Sequence, residues 1–556
     1  PGESTELIVM IENEDGWTDA QNVTAVLSCD NPSVYITNST VSYGDISNGE
    51  LSNNALNAFT FYTDSNIQLG DIDFELQVTA IGDSDYAYEN ILEIDVPVSL
   101  NQEGFPFATD FEIKSSPLFV DMDNDGSLEL IFGDKNGLVH IVSSSGVELE
   151  NDLFPFDTGN EIWGSLAYAD IDLDGLNEII IPSKSKHLFA IDINGIDFDF
   201  DAGQYLMGTP SIGNLDNDEY LEVVVSGYTS SGDIFIVNHD GTVDTIIEIN
   251  EKSRGGVSLA DFNNDSIDEI IIATENNDMI CKVDFLGIID TLLVVDDNFK
   301  VSTAILDMNG QKTIMAGSHD NSFYAIDGDG NSIFTFDTSD EINSSAAFLQ
   351  NNSEVFVFFG SDDGFLYGLS SDGQILSGWP VNLGGEVGSP SFSDLDGDGL
   401  SEIVVSSDNQ IHALNLDGTH FNSNHFPIQT QFSITSAPII VDIDNDNDLE
   451  IVLGSLADLI VIDVMEEGGI SFGYWNMDKG GNQRTGLYEF NSSCGNIQLG
   501  DLNCDQNIDI FDIITIVNII LNQISPDSNQ QWAADYNQDQ NIDVLDITEI
   551  LNIILD

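Results

Sequence analysis

Basic residues are scarce in this chain. Lysine and arginine together number 11 among 556 residues, against 98 aspartates and glutamates, which gives a formal net charge of −87. Phosphate recognition depends on lysine and arginine, so this composition excludes a nucleic-acid-binding protein, and an anionic membrane surface would repel the chain. Acidity on this scale is typical of a solvated extracellular surface.

Long apolar runs and cysteines are also scarce. No stretch of about 18 apolar residues occurs, so we expect no membrane-spanning helix. The cysteines are Cys29, Cys281, Cys494 and Cys504, of which the last two flank one short segment and could pair across it. The chain begins at Pro1 rather than methionine, and we expect that at least a signal peptide precedes it.

Motifs for catalysis are missing from the sequence. The seven histidines are scattered without a metal-binding spacing, and no Gly-x-Ser-x-Gly elbow or phosphate-binding glycine loop with lysine is present. A carboxylate pair for glycoside hydrolysis would go unnoticed among 98 acidic residues. We therefore expect a non-catalytic protein, and the alternative is an enzyme whose catalytic domain preceded Pro1.

A nine-residue phrase is repeated six times between residues 121 and 450. Asp or Asn stands at positions 1, 3 and 5, Glu stands at position 9, and an apolar run follows. Alternating oxygen side chains closed by a carboxylate suit a hard cation such as calcium. The candidate ligands at these four positions are Asp121, Asp123, Asp125, Glu129; Asp170, Asp172, Asp174, Glu178; Asn214, Asp216, Asp218, Glu222; Asp261, Asn263, Asp265, Glu269; Asp394, Asp396, Asp398, Glu402; and Asp442, Asp444, Asp446, Glu450.

The phrases recur at roughly 44 to 49 residues, a period typical of propellers and solenoids. Each unit between residues 101 and 490 contains four short strand-like runs; in the first unit they are 115–120, 130–132, 138–142 and one near Val147. Four strands per unit predict a propeller blade. Two further units, around Asp307 and Phe348, keep the strands but lose the phrase. The sequence therefore predicts eight blades, or seven if one unit is irregular.

These loops resemble the FG-GAP and VCBS repeats of integrin-α-like propellers, and the segment 475–488 looks like the tail that ends many bacterial propellers of this type. The resemblance implies that each loop binds calcium between two strands of one blade, about six ions in all. It adds the position-7 carbonyls as ligands, from Ser127, Leu176, Tyr220, Ile267, Leu400 and Asp448. We expect the loops with Glu219 and Ser266 at position 6 to be weaker sites, because a left-handed turn there suits glycine.

Residues 1–100 differ from the repeats. Short alternating or β-branched runs such as 7–11, 23–27 and 74–78 are separated by Gly, Asn, Asp and Ser. About seven strands at this spacing predict an all-β sandwich. The phrases at 1–13 and 19–27 resemble the immunoglobulin-like accessory domains that follow the protease domain in many bacterial secreted peptidases. That resemblance implies a secreted or cell-surface protein of bacterial origin.

Residues 494–556 change to a helical pattern. Two loops place oxygen ligands at positions 1, 3, 5, 7, 9 and 12 ahead of an apolar run, as an EF-hand does, with Asp at position 12. The candidates are Asp501, Asn503, Asp505, Asn507, Asp509 and Asp512 in the first loop, and Asp535, Asn537, Asp539, Asn541, Asp543 and Asp546 in the second. Two such loop–helix units closely resemble a type I dockerin, which implies two further calcium ions and docking onto a cohesin.

The dockerin resemblance also implies a partner surface beside each position-12 ligand and on the helix that follows. Its members are Ile510, Phe511 and Thr515 in the first copy and Val544, Leu545 and Thr548 in the second. Since the copies match, either could face a partner. The alternative is that the apolar members pack inside the dockerin's own core or against the propeller.

The sequence as a whole predicts a mainly β chain with an immunoglobulin-like sandwich over 1–100, a calcium-binding propeller over 101–490 and a dockerin over 494–556. Our leading hypothesis is a secreted, non-catalytic binding and assembly protein that docks onto a cohesin-like domain or another copy of itself. One alternative is a polysaccharide-degrading or carbohydrate-binding subunit with a site in the propeller's central channel or loops. Another is a self-assembling extracellular fibre or surface-layer subunit.

Overall fold

A computed structural model of the chain describes residues 1–2, 4–122, 127–216, 218, 220–351, 354–471, 473–490, 499–500, 502, 508, 510–520, 528–536, 541–542 and 544–555. The chain is mainly β and divides into two compact units. The first is Pro1–Leu100 with Asn422–Phe426, and the second is Asn101–Phe421 with Pro427–Asp556. Among the described helices, none has the length and apolar character needed to cross a bilayer.

The first unit contains two main antiparallel sheets around one core. The four-stranded sheet has the order Thr40–Ile46, Ala20–Cys29, Gly70–Ile81, Ala87–Val98, and the three-stranded sheet has the order Ser4–Leu7, Phe59–Thr63, Val34–Asn38. Met10–Glu12 pairs with Leu51–Asn53, and a 3-10 turn covers Asp83–Asp85. Alternate residues of Gly70–Ile81 are buried, as expected for a strand with one face on a core. Phe61 and Phe74 join the two sheets, with ring centroids 4.9 Å apart.

The second unit contains eight antiparallel sheets within its described residues up to 490, numbered here in chain order. Their strands are Leu118–Val120, Glu129–Gly133, Leu138–Ser143, Phe156–Asp157 (sheet 1); Ala167–Ala169, Glu178–Pro182, His187–Ile191, Ile196–Asp201 (sheet 2); Ser211–Gly213, Glu222–Ser226, Ile234–Val237, Val243–Ile247 (sheet 3); Val257–Ala260, Glu269–Ala273, Met279–Val283, Ile289–Val294 (sheet 4); Ala304–Met308, Gln311–Gly317, Ser322–Asp327, Ser332–Asp337 (sheet 5); Ala347–Asn351, Glu354–Gly360, Phe365–Ser370, Val381–Asn382 (sheet 6); Ser391–Ser393, Glu402–Ser407, Gln410–Leu414, Ile428–Gln429 (sheet 7); and Ile439–Val441, Glu450–Gly454, Asp458–Asp463 (sheet 8).

Two segments distant in sequence complete this arrangement. Phe107–Ala108 pairs antiparallel with Asp458–Asp463 and is the fourth strand of sheet 8, so the start of the unit closes onto its end. Leu487–Phe490 runs parallel to Ala304–Met308 and adds a fifth strand to sheet 5. Four-stranded sheets in series, joined from first to last, are consistent with a β-propeller.

Apolar clusters lie between successive sheets. Four clusters each join two successive sheets, from sheets 1 and 2 to sheets 4 and 5, and a fifth cluster spans sheets 5, 6 and 7. A further cluster, which includes Val452 and Leu130, joins sheet 8 to sheet 1. The second strands are therefore covered on both faces, and all five residues of Glu178–Pro182 are buried. The expected fourth strand of the first unit near Val147 is wrong: Glu148 makes only an isolated bridge to Val142, and the fourth strand is Phe156–Asp157.

Three helices are described near the C-terminus: α1 Ile510–Ile520, α2 Ser528–Ala534 and α3 Val544–Leu555. Ile516 of α1, Ala533 of α2 and Ile550 of α3 are fully buried and belong to one small core. A 3-10 turn over Asp478–Gly480 precedes the strand Leu487–Phe490.

Candidate metal centres

Each of the six acidic phrases forms the connection between the first and second strands of one sheet, namely sheets 1, 2, 3, 4, 7 and 8. Asp170, at position 1, follows the strand Ala167–Ala169, and Glu178, at position 9, begins the strand Glu178–Pro182. Ala169 is paired with Glu178 in the sheet, and the corresponding pair recurs in the other five sheets. Strand pairing therefore holds positions 1 and 9 side by side.

One hydrogen bond is common to all six loops. The carboxylate of the position-9 glutamate accepts from the backbone N–H at position 2, at donor–acceptor distances between 2.6 Å and 3.1 Å. The pairs are Met122–Glu129, Ile171–Glu178, Leu215–Glu222, Phe262–Glu269, Leu395–Glu402 and Ile443–Glu450. This bond orients the glutamate towards the beginning of the loop, where the other acidic side chains lie.

Short-range hydrogen bonds curl the loops around their own carboxylates. In the loop of sheet 2, Asp172 accepts from the N–H of Asp174 at 3.0 Å, Asp174 from that of Leu176 at 2.9 Å, and Asp170 from that of Gly175 at 3.1 Å. The loop of sheet 7 repeats the three bonds. Asx-type turns of this kind replace the backbone bonds that a strand would make.

Two positions of the loop have left-handed backbone. At position 6 the φ angles are 93° for Gly175 and 71° for Ser266, so the serine carries the strain expected from its sequence. Glu219 lies outside the described residues. Position 4 is left-handed as well, with φ of 62° for Leu173 and 61° for Asn445. Our sequence reasoning missed position 4, although Asn or Gly occupies it in five of the six phrases.

Carboxylate oxygens converge in four of the loops. One oxygen from each of three acidic residues lies within 4.8 Å of the others, and these groups could hold a metal ion. The groups are Asp170, Asp172, Glu178; Asp216, Asp218, Glu222; Asp394, Asp396, Glu402; and Asp442, Asp444, Glu450, with Asp446 and Asp448 forming a second group on Glu450. In the loop of sheet 4, Asn263 Nδ2 donates to Glu269 Oε1 at 2.6 Å. Asp123 and Asp125 of sheet 1 lie outside the described residues.

The position-7 residue of sheet 8 departs from the pattern. Asp448 places a side-chain carboxylate in the cluster, whereas the resemblance assigned only its backbone carbonyl to the site. The other position-7 residues are Ser127, Leu176, Tyr220, Ile267 and Leu400, none of them acidic. This extra carboxylate makes the loop of sheet 8 the richest of the six in acidic oxygens.

Several oxygens in these loops are buried without a partner. Asp170 Oδ1, Asn214 Oδ1 and Asp448 Oδ1 are shielded from solvent and have no hydrogen bond. Burial and neighbouring carboxylates raise the pKa of Glu178 to about 8 and that of Glu402 to about 8. A divalent cation coordinates oxygen and stabilises ionised carboxylates, so the donor set fits calcium or a similar hard ion.

Sheets 5 and 6 join their first two strands by tight hairpins instead. Met308 pairs with Gln311 in sheet 5, and Asn351 pairs with Glu354 in sheet 6. In sheet 5 the two turn residues, Asn309 and Gly310, have φ of 58° and 85°, as a two-residue hairpin turn requires. These two sheets therefore lack the nine-residue loop, in agreement with the loss of the phrase in their sequences.

The C-terminal loops are described in part. Asp512 and Asp546, at position 12 of each loop, are fully buried, and Asp512 Oδ1 accepts from the N–H of Leu502 at 2.8 Å. Asp535 and Asn541 are at least partly exposed. The remaining predicted ligands lie outside the described residues: Asp501, Asn503, Asp505, Asn507, Asp509, Asn537, Asp539 and Asp543. Cys494 and Cys504 lie outside them too, while Cys29 and Cys281 are free.

The expected partner surface is exposed on α3. Val544 is 66% exposed and Leu545 is 54% exposed, and neither belongs to the core of the three helices. The alternative that these two residues pack inside the dockerin or against the propeller is therefore wrong. Thr548 is exposed and its hydroxyl donates to the carbonyl of Val544 at 2.8 Å. The side chains of Ile510, Phe511 and Thr515 lie outside the described residues.

The segment 475–488 runs along the first strands of the sheets. Its carbonyls accept backbone N–H groups from six of them, at distances between 2.8 Å and 3.0 Å. The donors are Phe392, Ile440, Tyr168, Ile212, Leu259 and Ile305, and the acceptors are Trp475, Asn476, Asn482, Gln483, Thr485 and Gly486. A single segment that reaches sheets 2, 3, 4, 5, 7 and 8 must lie where their first strands converge.

Two buried cations fix this segment. Arg484 is fully buried and donates to the carbonyls of Leu166, Asp478 and Pro117 at 2.9 Å, 2.6 Å and 3.1 Å. Lys479 donates to Ser211 Oγ at 3.0 Å, and burial lowers its pKa to about 7. The resemblance of this segment to a propeller tail did not reveal these contacts.

Comparisons with known proteins identify two parts of the chain. Residues 394–453 match the family model of the FG-GAP-like repeat, and residues 499–555 match that of the dockerin type I domain. No curated protein matches. Similar solved structures include the C-terminal WD40 domain of Sif2 (16% identity, TM-score 0.46, 66% of this chain and 99% of that one), BBS1N in complex with ARL6DN (11%, 0.40, 66% and 97%), and BamB from Moraxella catarrhalis (16%, 0.34, 54% and 96%). The chain thus carries an FG-GAP-like repeat and a type I dockerin domain, a kind of domain that binds calcium, docks onto cohesins and occurs in extracellular proteins.

Proposed function

We propose that this protein is a secreted, calcium-stabilised and non-catalytic assembly protein, which presents an eight-bladed propeller and docks through its C-terminal domain onto a cohesin-like partner. The dockerin match over residues 499–555 carries the docking role. Eight sheets in series, with an apolar cluster between sheets 8 and 1, support eight blades. The first unit, as an immunoglobulin-like sandwich, would act as a spacer.

Calcium binding rests on the geometry of the acidic loops. Each loop would bind one ion through the side chains at positions 1, 3, 5 and 9 and the carbonyl at position 7, giving about six ions. The converging carboxylates, the partnerless oxygens of Asp170 and Asn214, and the absence of this loop from sheets 5 and 6 support the assignment. The two dockerin loops would bind two more ions through their predicted ligands.

Docking would use apolar residues on the helices of the dockerin. Val544 and Leu545 form an exposed apolar pair in a chain with a net charge of −87, and such a patch marks an interface. Thr548 extends it by one turn. Because the two copies match in sequence, Ile510, Phe511 and Thr515 would form an equivalent surface on α1.

A cohesin-binding assay tests this function. The full chain is passed over immobilised type I cohesins in calcium and again in EGTA. We expect binding in calcium and its loss in EGTA, because an EF-hand-like domain folds only when its ligands hold the ion. The variant Asp512→Ala, Asp546→Ala should fail to bind in either buffer, whereas binding that persists in EGTA would contradict the proposal.

Self-assembly is a second candidate, favoured by one feature of the first unit. Among the residues that the structure describes, the 12-residue strand Ala87–Val98 is an edge strand that pairs on one side only, with Tyr88 and Ile91 exposed. A long free edge can add a strand from another chain. Glu89, Glu93 and Asp95 on the same strand oppose pairing between identical copies, so cohesin docking is the better supported function. Polymers of the purified protein in electron micrographs would reverse this order.

A further inference from the structure

The end of the sheets opposite the acidic loops repeats one backbone hydrogen bond eight times. In every sheet, the N–H of a residue in the turn between strands two and three donates to the carbonyl of a residue that precedes strand one. The pairs are Lys135–Glu112, Lys184–Glu161, Tyr228–Tyr205, Glu275–Lys252, His319–Asn298, Asp362–Glu341, Asp408–Glu386 and Leu456–Ser433, at distances between 2.7 Å and 3.2 Å. Because strands alternate in direction, these turns lie at the far end from the acidic loops.

The side chains at these eight equivalent places differ in chemistry. In sheets 1 to 4 they are basic, acidic or aromatic, whereas in sheets 6 and 7 all four are acidic. Of the 11 basic residues in the chain, Lys479 and Arg484 belong to the segment 475–488, and six lie at this end of sheets 1 to 4. We call these six, with the three aromatic residues among them, the cationic arc: Lys114, Lys135, Lys184, Lys186, Lys252, Arg254, Trp163, Tyr205 and Tyr228.

Three lysines of the arc converge on one tryptophan. The Nζ atoms of Lys114, Lys135 and Lys184 lie 5.0 Å, 4.8 Å and 4.9 Å from the ring centroid of Trp163. Two glutamates accompany them: Glu112 pairs with Lys135, and Glu161 accepts from Lys184 at 2.9 Å and from the indole N–H at 2.6 Å. Three cations and two carboxylates leave an excess of one positive charge.

A second centre lies around Tyr228 of sheet 3 and involves Lys252 and Arg254, which precede sheet 4. Lys252 and Arg254 stand 4.3 Å and 5.5 Å from the ring centroid of Tyr228, and an Arg254 guanidinium nitrogen donates to the tyrosine hydroxyl at 2.7 Å. Glu275 accepts from both cations, at 2.7 Å and 3.0 Å. This centre also has an excess of one positive charge. Tyr205 is 43% exposed, and its backbone carbonyl accepts the N–H of Tyr228.

Stability alone does not account for this grouping. Ion pairs that remain partly exposed contribute modestly to folding, and the lysines around Trp163 repel one another. The paired cations keep partial access to solvent, with exposed fractions from 21% for Lys184 to 36% for Arg254. Cations that are oriented by aromatic rings and carboxylates, yet remain accessible, are suited to bind an anion.

We propose that the cationic arc binds an anionic polysaccharide. Aromatic rings such as Tyr205 offer apolar faces for sugar rings, the ammonium groups take carboxylate or sulfate groups, and Glu112 and Glu161 can accept hydrogen bonds from sugar hydroxyls. One excess positive charge at each centre suits a polymer that carries at most about one negative charge per sugar. A polyglutamate-like peptide or a nucleic acid carries a denser charge, which those glutamates and the net charge of −87 would repel.

Direct binding measurements test the proposal. The full chain, saturated with calcium, is titrated with oligosaccharides of galacturonate, hyaluronan and chondroitin sulfate, each too short to gel with the ion. We expect at least one to bind, with an affinity that falls as sodium chloride is raised. The variant Lys135→Gln, Lys184→Gln and the variant Trp163→Ala should each weaken binding about tenfold or more, because each removes charge-assisted bonds or the ring that orients them.

Matched controls separate the arc from the rest of the molecule. Lys282→Gln changes a lysine at the opposite end of sheet 4, and Trp17→Ala changes a tryptophan of the first unit that is 67% exposed. Both should bind as the unaltered chain does, and thermal melts in calcium confirm that all variants are folded. Failure of all three oligosaccharides to bind, or unchanged binding by both arc variants, overturns the proposal. Equal binding of a neutral dextran or of a glutamate oligopeptide overturns the assignment to an anionic saccharide.

Discussion

Lys312 Nζ lies 2.8 Å from Asp307 Oδ2, and each side chain is only 10% exposed. Asp307 is the next-to-last residue of the first strand of sheet 5, near the point where six of the other sheets begin an acidic loop, and Lys312 belongs to the second strand beyond the hairpin. An ammonium group thus supplies, in sheet 5, the positive charge that we assign to a calcium ion elsewhere. We therefore expect the stability of sheet 5 to be independent of calcium, whereas the sheets with acidic loops should depend on it.

The first prediction concerns this ion pair. Replacing Lys312 by Met leaves Asp307 buried without its partner, and we expect the free energy of unfolding to fall by about 3 kcal/mol or more. The loss should be equal in calcium and in EGTA, because no metal replaces the lysine. Denaturant titration in both buffers measures it. Lys186→Met, at an exposed lysine, is the control and should change stability little.

The second prediction concerns one acidic loop. Glu402 is 3% exposed and accepts the N–H of Leu395 at 2.8 Å. We expect Glu402→Gln to lower the melting temperature in calcium, by the equivalent of about 2–3 kcal/mol, because a bound ion stabilises the native state by mass action. In EGTA the variant and the unaltered chain should melt alike, since burial already raises the pKa of Glu402 to about 8.

Differential scanning calorimetry in the two buffers checks this loop. Glu386→Gln, at the opposite end of the same sheet, is the matched control and should show no calcium-dependent difference. If excess EGTA does not lower the melting temperature of the unaltered chain, the assignment of calcium to all six acidic loops is contradicted.

The acidic loops could be predicted from the sequence because all their candidate ligands lie within nine consecutive residues. Left-handed φ at position 4 follows from local rules as well, since Asn and Gly occupy it in most copies. The pair Lys135 and Glu112 could not be read in this way. Its two residues are 23 positions apart, and the contact depends on how a turn meets the segment that precedes the sheet. Contacts of this kind become visible only in the folded ring.

The first unit shows where pattern reading fails. The apolar run 7–11 predicts one strand, but the structure breaks it into Ser4–Leu7 and Met10–Glu12. Asn54 causes the break, because its side chain accepts from the N–H of Val9 at 2.7 Å and donates to the carbonyl of Leu7 at 3.1 Å. The unit has nine strands among its described residues rather than about seven. Ala87–Val98 alternates only in its second half, where Ile94, Val96 and Val98 pack against the core, and its first half is exposed on both faces.

The third prediction concerns pH and Lys479. Burial lowers the pKa of this lysine to about 7, against 10.5 for an unburied lysine. Between those two values the unfolded chain binds the proton and the folded chain does not, so stability rises with pH across that window. Below pH 7 Lys479 is protonated in both the folded and the unfolded chain, and the folded state carries the full free-energy penalty of the buried charge.

Comparison with Lys479→Met isolates this contribution from the rest of the acidic chain. The unaltered protein should gain up to about 1.4 kcal/mol per pH unit relative to the variant as pH rises from 7.5 to 9.5. Unfolding in urea at several pH values, with calcium present, measures the difference. Parallel pH profiles for the two proteins would show that Lys479 does not change its charge on folding.

The last prediction concerns the two copies of the dockerin surface. Leu545 is exposed on α3, and Phe511 is its sequence equivalent on α1. If either copy can face a cohesin, Leu545→Asp alone should leave binding close to that of the unaltered chain, because the partner can use α1. The combination Phe511→Asp, Leu545→Asp should lose binding by at least a hundredfold, since a charge then faces an apolar interface in both orientations. Surface plasmon resonance against a type I cohesin in calcium compares the three proteins, and melting curves verify the folded state. Complete loss with Leu545→Asp alone would instead establish α3 as the sole docking face.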